Sequence, residues 1–319
     1  MSASRRIAAI DIGTVTTRLL VADVTDSTVS EVLRSTDITH LGEGLAETGS
    51  LSEEAMGRVE GVIGGYADEM SRLGVEEYRA VATSASRDAA NGDVFAERLA
   101  RYGIDIEIVP GHVEAALAFA GATHGVSGTG LLVNDIGGGS TELVFGDAAD
   151  DSSHPHIRLA RSIDVGSRRV TDRHLASDPP TSRELADARR WVIAQLEPYF
   201  AALPDVPRHS IALAGTATTL SAIQQGLAEY DPDLVHGSVL SRTEIREMLE
   251  MLAALPLAAR REVTGLHPGR AGVIVAGALV LACVLELAGL DSTTVSEHDI
   301  LYGIVLDAYA GLPRAGGRQ

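Results

Sequence analysis

The chain has 319 residues, enough for two domains, and its 45% hydrophobic content is ordinary for a globular protein. Its formal net charge of −18 opposes general nucleic-acid binding. All 26 basic residues are arginine, which excludes a lysine-bearing phosphate loop and Schiff-base chemistry.

Any phosphate must therefore be held by arginine, backbone N–H groups, hydroxyls or a cation. The N-terminal apolar run is broken by Asp11, so there is no signal-peptide core. No stretch approaches the ~18 uncharged apolar residues of a membrane span. A soluble, cytoplasmic chain without a membrane partner is expected. Cys283, the one cysteine, lies in an apolar stretch and reads as an inert buried thiol.

In chain order, residues 7–10 open an apolar strand that enters Asp11-Ile12-Gly13-Thr14-Val15-Thr16-Thr17-Arg18 and leaves as a second strand ending at Asp23. A third strand is expected over 29–39. A helix follows over 52–73, with Ser52 as its cap and Glu53 and Glu54 in its first turn. Then come a strand at 78–83, a helix at 94–102, a strand at 104–109 and a helix at 112–122. A glycine-rich run at 125–130 marks a boundary. The second half has a hairpin around Gly137-Gly138-Gly139-Ser140-Thr141, a polar turn at 147–155 and a strand at 157–163. Helices at 167–175 and 182–203, a strand at 211–214 and helices at 217–227, 243–255 and 271–288 follow. A strand at 293–296 and a helix at 300–310 close the chain. The fold class is α/β, with domains at 1–124 and 125–298 and a last helix, 299–312, rejoining the first.

The two hairpins are copies. At an offset of 124 residues (135 − 11) they align without a gap, and Asp, Ile, Gly, the Thr17/Thr141 pair and Leu coincide. A period this long indicates a duplicated domain rather than a solenoid, with two tips able to face each other across a cleft. Glycines and small hydroxyls let backbone N–H groups approach an anion. Asp11 and Asp135 before the turns would repel bare phosphate unless a hard divalent ion lies between; Glu142 is a further oxygen donor. Magnesium, or manganese, suits carboxylates plus phosphate better than zinc does. The plainer reading of one such turn is an ordinary hairpin; two with the same pattern favour phosphate and metal.

At these residues the chain resembles the exopolyphosphatase/guanosine-pentaphosphate phosphohydrolase (Ppx/GppA) family. That resemblance implies two duplicated RNase H-like domains of the actin-like ATPase superfold with a cleft between them. Ala82-Thr83-Ser84-Ala85-Ser86-Arg87-Asp88-Ala89 is similar to the family's Thr-Ser-Ala-x-Arg-Asp-Ala motif. Gly111-His112-Val113-Glu114-Ala115 is similar to its Gly-x-x-Glu-Ala motif, whose glutamate is regarded as the catalytic base. Asp135 through Glu142 is similar to its second phosphate loop. Residues 162–168 resemble its Gly-x-x-Arg segment, and Ala214-Gly215-Thr216-Ala217-Thr218-Thr219 its Gly-Thr turn before a helix. Pro268-Gly269-Arg270 and Val295-Ser296 resemble its last motifs. Three positions depart from the pattern: Val15 where an asparagine is usual, Gly272 where an aspartate is, and Tyr302 where an arginine is. Longer members carry a C-terminal helical domain that these 319 residues do not include.

The resemblance implies that Glu114 is the general base. Phosphate is assigned to Gly13, Thr14, Thr16, Thr17, Arg18, Ser84, Arg87, Gly137, Gly138, Gly139, Ser140, Thr141, Gly215, Thr216 and Arg270. Magnesium is assigned to Asp11, Asp135 and Glu142. The expected substrate is inorganic polyphosphate, cut from its end, or alternatively guanosine pentaphosphate; a homodimer is what the family implies. Plainer readings stand beside these. Glu114 could serve the helix dipole, Arg87 a surface pair with Asp88, and Thr216 a helix cap. A kinase of the same superfold and a non-catalytic phosphate sensor are the rival classes.

Overall fold

The computed structural model describes residues 4–25, 28–148 and 155–312. The expected polar turn at 147–155 falls mostly outside them. The first half contains β1 (Arg5–Ile12), β2 (Thr16–Val24), β3 (Val29–Ile38), α1 (Leu45–Thr48), α2 (Glu53–Leu73), β4 (Glu77–Ala82), α3 (Ser84–Asp88), α4 (Gly92–Ala100), β5 (Ile106–Ile108) and α5 (Gly111–Ala122). The second half opens with β6 (Leu131–Ile136), β7 (Thr141–Asp147), β8 (His156–Ile163), α6 (Ser167–His174), α7 (Ser182–Ala201), β9 (His209–Leu213) and α8 (Ala214–Gln225). It continues through α9 (Pro232–Val235), β10 (Val239–Ser241), α10 (Arg242–Ala254), α11 (Leu257–Arg260), α12 (Ile274–Ala288), β11 (Ser292–Val295) and α13 (Ile300–Gly311).

Each half is a mixed sheet built on its hairpin. The first runs β3-β2-β1-β4-β5 and the second β10-β11-β9-β6-β7-β8. Read from the hairpin outward the two orders correspond: three antiparallel strands, then parallel β4 and β5 in one half and parallel β9 and β11 in the other. This is a duplicated α/β architecture, as the repeated hairpin implies. Strand β10 is an added edge on the second sheet.

Local sequence explains the long helices. Ser52 Oγ accepts the Ala55 N–H at 3.1 Å, and Ala55, Met56, Val59, Ile63, Tyr66 and Met70 bury one stripe of α2. Gly74, at φ 67°, closes it. Capping boxes start α7 (Thr181 with Glu184) and α10 (Ser241 with Glu244). α12 is buried on nearly every face, as its apolar run requires. It begins at Ile274 rather than at 271, because Pro268–Arg270 forms a 3-10 turn first.

Two helices lie between the sheets. Phe119 of α5 and Ile304 of α13 share a core with Ile7, Leu20 and Val81 of the first sheet and Leu132's neighbours Leu131 and Val133, with Val144 and Ile211, of the second. Truncating Phe119 to alanine there would cost about 3–5 kcal/mol. The N-termini of both helices therefore reach the seam between the halves, where the hairpin tips also meet. Among the described residues no helix is long and apolar enough to cross a membrane. Cys283 is buried in α12, and burial pushes its thiol up to about 12.

Candidate active site

The two tips are built alike. Gly13 N–H donates to Thr16 O at 2.9 Å, and Gly137 N–H to Ser140 O at 3.0 Å. They face each other, with Thr14 and Val15 of the first against Gly138 and Gly139 of the second. The space left between them is about 60 Å³, room for a phosphoryl group or a few waters but not for a nucleobase. Asp11, Arg18, Ser84, Glu114, Asp135, Glu142, Thr216 and Arg270 all line this cleft.

Strand periodicity sorts the hydroxyls. Thr16 and Ser140 line the cleft, whereas Thr17 and Thr141, one residue on, point the other way. Thr17 is fully buried with its hydroxyl 3.0 Å from Thr39 Oγ1, and Thr141 Oγ1 donates to Val165 O. These two were assigned to phosphate; their hydroxyls are instead committed to the scaffold. Arg87 also stands behind the cleft wall rather than in it. Its Nη1 donates to Glu114 Oε2 at 2.9 Å and to Val109 O at 3.0 Å.

Glu114 sits in the first turn of α5 with only a tenth of its side chain exposed. Burial pushes its pKa up to about 7; Arg87 pulls against this, and the Asp11 and Asp135 charges add to it. Glu142 Oε1 accepts from Ser140 Oγ at 2.8 Å and Ser162 Oγ at 2.7 Å. Burial, and then the nearby Glu114 and Asp135 charges, raise its pKa well above the usual carboxylate range. Asp135 is also pushed up to about 7, first by burial, with Arg18 opposing and Asp299 and Asp11 adding. Its carboxylate receives no hydrogen bond among the described residues.

The three carboxylates assigned to one cation do not converge as a ligand cluster, and no group of three or more His, Cys, Asp or Glu does so among the described residues. Two of the three already have partners. Arg18 holds Asp11 Oδ2 through Nε (3.0 Å) and Nη2 (2.6 Å), and two hydroxyls hold Glu142. Those bonds engage one oxygen each of Asp11 and Glu142; Asp135 has neither oxygen engaged among the described residues.

Across the cleft, Ala214 begins α8 at φ 59°, a left-handed conformation that costs a non-glycine residue about 1–3 kcal/mol. With Arg270 where it stands the next residue has room only for glycine: a Cβ on Gly215 would lie 1.2 Å from Arg270 Nη1. The Arg270 guanidinium is thus packed onto bare backbone at a helix N-terminus, a ready anion site. It forms no hydrogen bond or ion pair among the described residues, and desolvation lowers its pKa to about 10, so it stays charged. Thr216 Oγ1 donates to Ile136 O at 3.3 Å and does not cap α8.

Residues 20–309 match the model of the Ppx/GppA phosphatase family. The chain belongs to that family. It is 41% identical over 318 residues to Exopolyphosphatase 2 of Mycobacterium tuberculosis, covering 94% of this chain and 98% of the relative. It is 28% identical over 304 residues to the guanosine-5'-triphosphate,3'-diphosphate pyrophosphatase of Vibrio atlanticus, covering 94% of this chain and 58% of that longer protein. The solved PPX-GPPA enzyme of Aquifex aeolicus superposes with a TM-score of 0.79 at 30% identity, over 95% of this chain and 99% of that one. As a Ppx/GppA phosphatase the chain is a phosphoanhydride hydrolase.

Several residues of this Ppx/GppA cleft were assigned no role from the sequence. Ser162 and Asp299 complete the contacts of Glu142 and Arg18. Arg169 of α6 ties the halves together, donating to Gly139 O at 2.7 Å and pairing with Asp88 of α3. Asp299 had a visible sign, a capping residue before an apolar helix, and Ser162 and Arg169 lie in or beside the Gly-x-x-Arg segment. Val15 of the first tip accepts the Thr39 and His40 N–H groups through its carbonyl, so this departure leaves the loop's backbone anchored.

Proposed function

We propose that this Ppx/GppA phosphatase is an exopolyphosphatase that removes the terminal phosphate of inorganic polyphosphate, with Glu114 as general base. The observation that carries the reading is Glu114 itself: a buried carboxylate with a pKa of about 7, held by Arg87 on the wall of a phosphate-sized cleft. A base poised near neutral pH has both the ionised population and the proton affinity to activate water.

The terminal phosphoryl group enters between the tips. The Gly138–Gly139 backbone, Thr14, Thr16 and Ser84 offer donors to its oxygens, and Arg270 takes the charge of the chain behind it. Arg87 fixes the Glu114 carboxylate, which orients a water and accepts its proton as the water attacks in line. Asp135 fits a divalent ion: it is a hard, open oxygen donor in a site where phosphate and water complete the coordination magnesium prefers. Magnesium or manganese bound there would neutralise charge on the leaving phosphate.

The match to Exopolyphosphatase 2 along 98% of its length favours polyphosphate. The similarity to the Vibrio atlanticus enzyme keeps guanosine pentaphosphate as the second substrate, whose base would lie outside the cleft. Phosphate release from tripolyphosphate, long polyphosphate and guanosine pentaphosphate, for wild type and Glu114→Gln, tests the proposal. Release from polyphosphate that collapses in the variant supports it. Preference for pentaphosphate moves the assignment to the nucleotide. No release from any of them, with binding intact, leaves a phosphate sensor.

A further inference from the structure

Arg18 is gripped from two sides. Its Nε and Nη2 meet Asp11 Oδ2, and its Nη1 meets Asp299 Oδ2. Asp299 is also the N-cap of α13, its Oδ1 accepting Leu301 N–H at 2.9 Å. Arg34 of β3 stands 3.9 Å from the same Oδ2. The placement of Asp299 is fixed against the helix that bears Glu114. A Cβ on Gly121 of α5 would lie 1.9 Å from Asp299 O, and one on Gly303 of α13 would lie 1.9 Å from Leu117 O. The two helices touch backbone to backbone.

A third carboxylate, Asp135, also attracts Arg18 electrostatically but forms no bond to it. We propose that Asp299 is a positioning residue: by holding Nη1 it keeps Arg18 on Asp11 and leaves Asp135 open in the cleft. This rests on the reading of Asp135 as the cation-binding carboxylate. Remove the Asp299 charge and Nη1 is released toward the remaining negative group, Asp135. The open ligand then becomes one more ion pair. Asp299 need not touch substrate for this; it acts through Arg18.

The test uses the full chain with Mn2+ as probe, its binding followed by electron paramagnetic resonance, beside turnover of tripolyphosphate. Asp299→Asn keeps the shape and the helix cap but not the charge. Its Mn2+ affinity is expected to fall at least tenfold, kcat to fall in step, and the thermal midpoint to stay within a few degrees of wild type. Asp299→Ala loses the cap as well and shows by contrast what helix fraying does. Arg18→Gln and Arg18→Gln/Asp299→Asn are expected to bind Mn2+ equally, since without Arg18 nothing is left for Asp299 to position. Unchanged Mn2+ affinity in Asp299→Asn, or losses that multiply in the double variant, overturns the proposal. So does a wild-type chain that binds no Mn2+. A wild type that binds Mn2+ and tripolyphosphate yet releases no phosphate sinks the hydrolase reading instead, while the Mn2+ comparison still decides the role of Asp299.

Discussion

Arg18 and Glu142 occupy the same place in the two copies of the hairpin, each directly across the strand pair from its aspartate. Arg18 is paired in register with Asp11, and Glu142 with Asp135. One copy thereby neutralises its carboxylate, and the other sets two carboxylates side by side. A symmetric pair of tips has become a polarised site, quenched on one wall and electron-rich on the other.

That charge has a stability consequence. Asp135 and Glu114 have folded pKa values of about 7, above their ordinary values near 4. The folded state therefore binds these protons more tightly than the unfolded state, and stability falls as pH rises from about 4 through 7. Asp135→Asn is expected to raise the thermal midpoint at pH 8 in the presence of a chelator, and to leave it nearly unchanged at pH 4. Thermal scans at both pH values check this; a destabilised variant at pH 8 would contradict it.

Glu114→Gln keeps the size and the partner but cannot take a proton. A loss of 10²–10⁴-fold in kcat is expected, in the usual range for a general base, with KM little altered. The wild-type kcat/KM is expected to rise with pH through about 7 as Glu114 ionises. Arg87 lowers that pKa, so Arg87→Met moves the acid limb to higher pH. A limb that does not move would show that the titrating group is not Glu114.

Gly215→Ala puts a Cβ where Arg270 Nη1 now lies and must push the guanidinium out of place. KM for tripolyphosphate is expected to rise about tenfold or more, with a smaller change in kcat. Arg270→Met removes a desolvated cation that has no hydrogen-bond or ion-pair partner among the described residues. It is expected to weaken substrate binding similarly while making the phosphate-free protein more stable, the signature of a charge kept for function. Calorimetric titration with tripolyphosphate and a thermal scan separate the two effects.

Thr17→Val marks where the site ends. The Thr17 hydroxyl bonds Thr39, away from the cleft. Activity is expected to stay near wild type while stability drops by about 1–2 kcal/mol for the broken buried pair. A large rise in KM would return Thr17 to the phosphate contacts.

Much of this was legible in the sequence because the signals were repeated or long. The hairpins declared themselves by duplication, and α2 by a cap, a periodic stripe and a closing glycine. The motif around Glu114 pointed at a residue the structure does bury on the cleft wall. The losses have physical causes. α1, α3, α9 and α11 are four or five residues long, too short to show a period. α8 starts three residues before its expected position because a left-handed alanine leaves no trace in composition. Thr17 and Thr141 were credited to the cleft by adjacency, where the twofold period of a strand turns alternate residues away. That Arg18 and two serines each bond one of the carboxylates assigned to the metal could not be read from the chain's one-dimensional order.

The small space between the opposed tips carries one more implication. It has room for a phosphoryl group, and the tips touch beyond it. An interior unit of a polymer, with a neighbour on each side, needs more room than the space between the tips offers. On the proposed polyphosphate reading a chain enters by its loose end, so shortening would proceed one unit at a time and the intermediate lengths would differ by single phosphates.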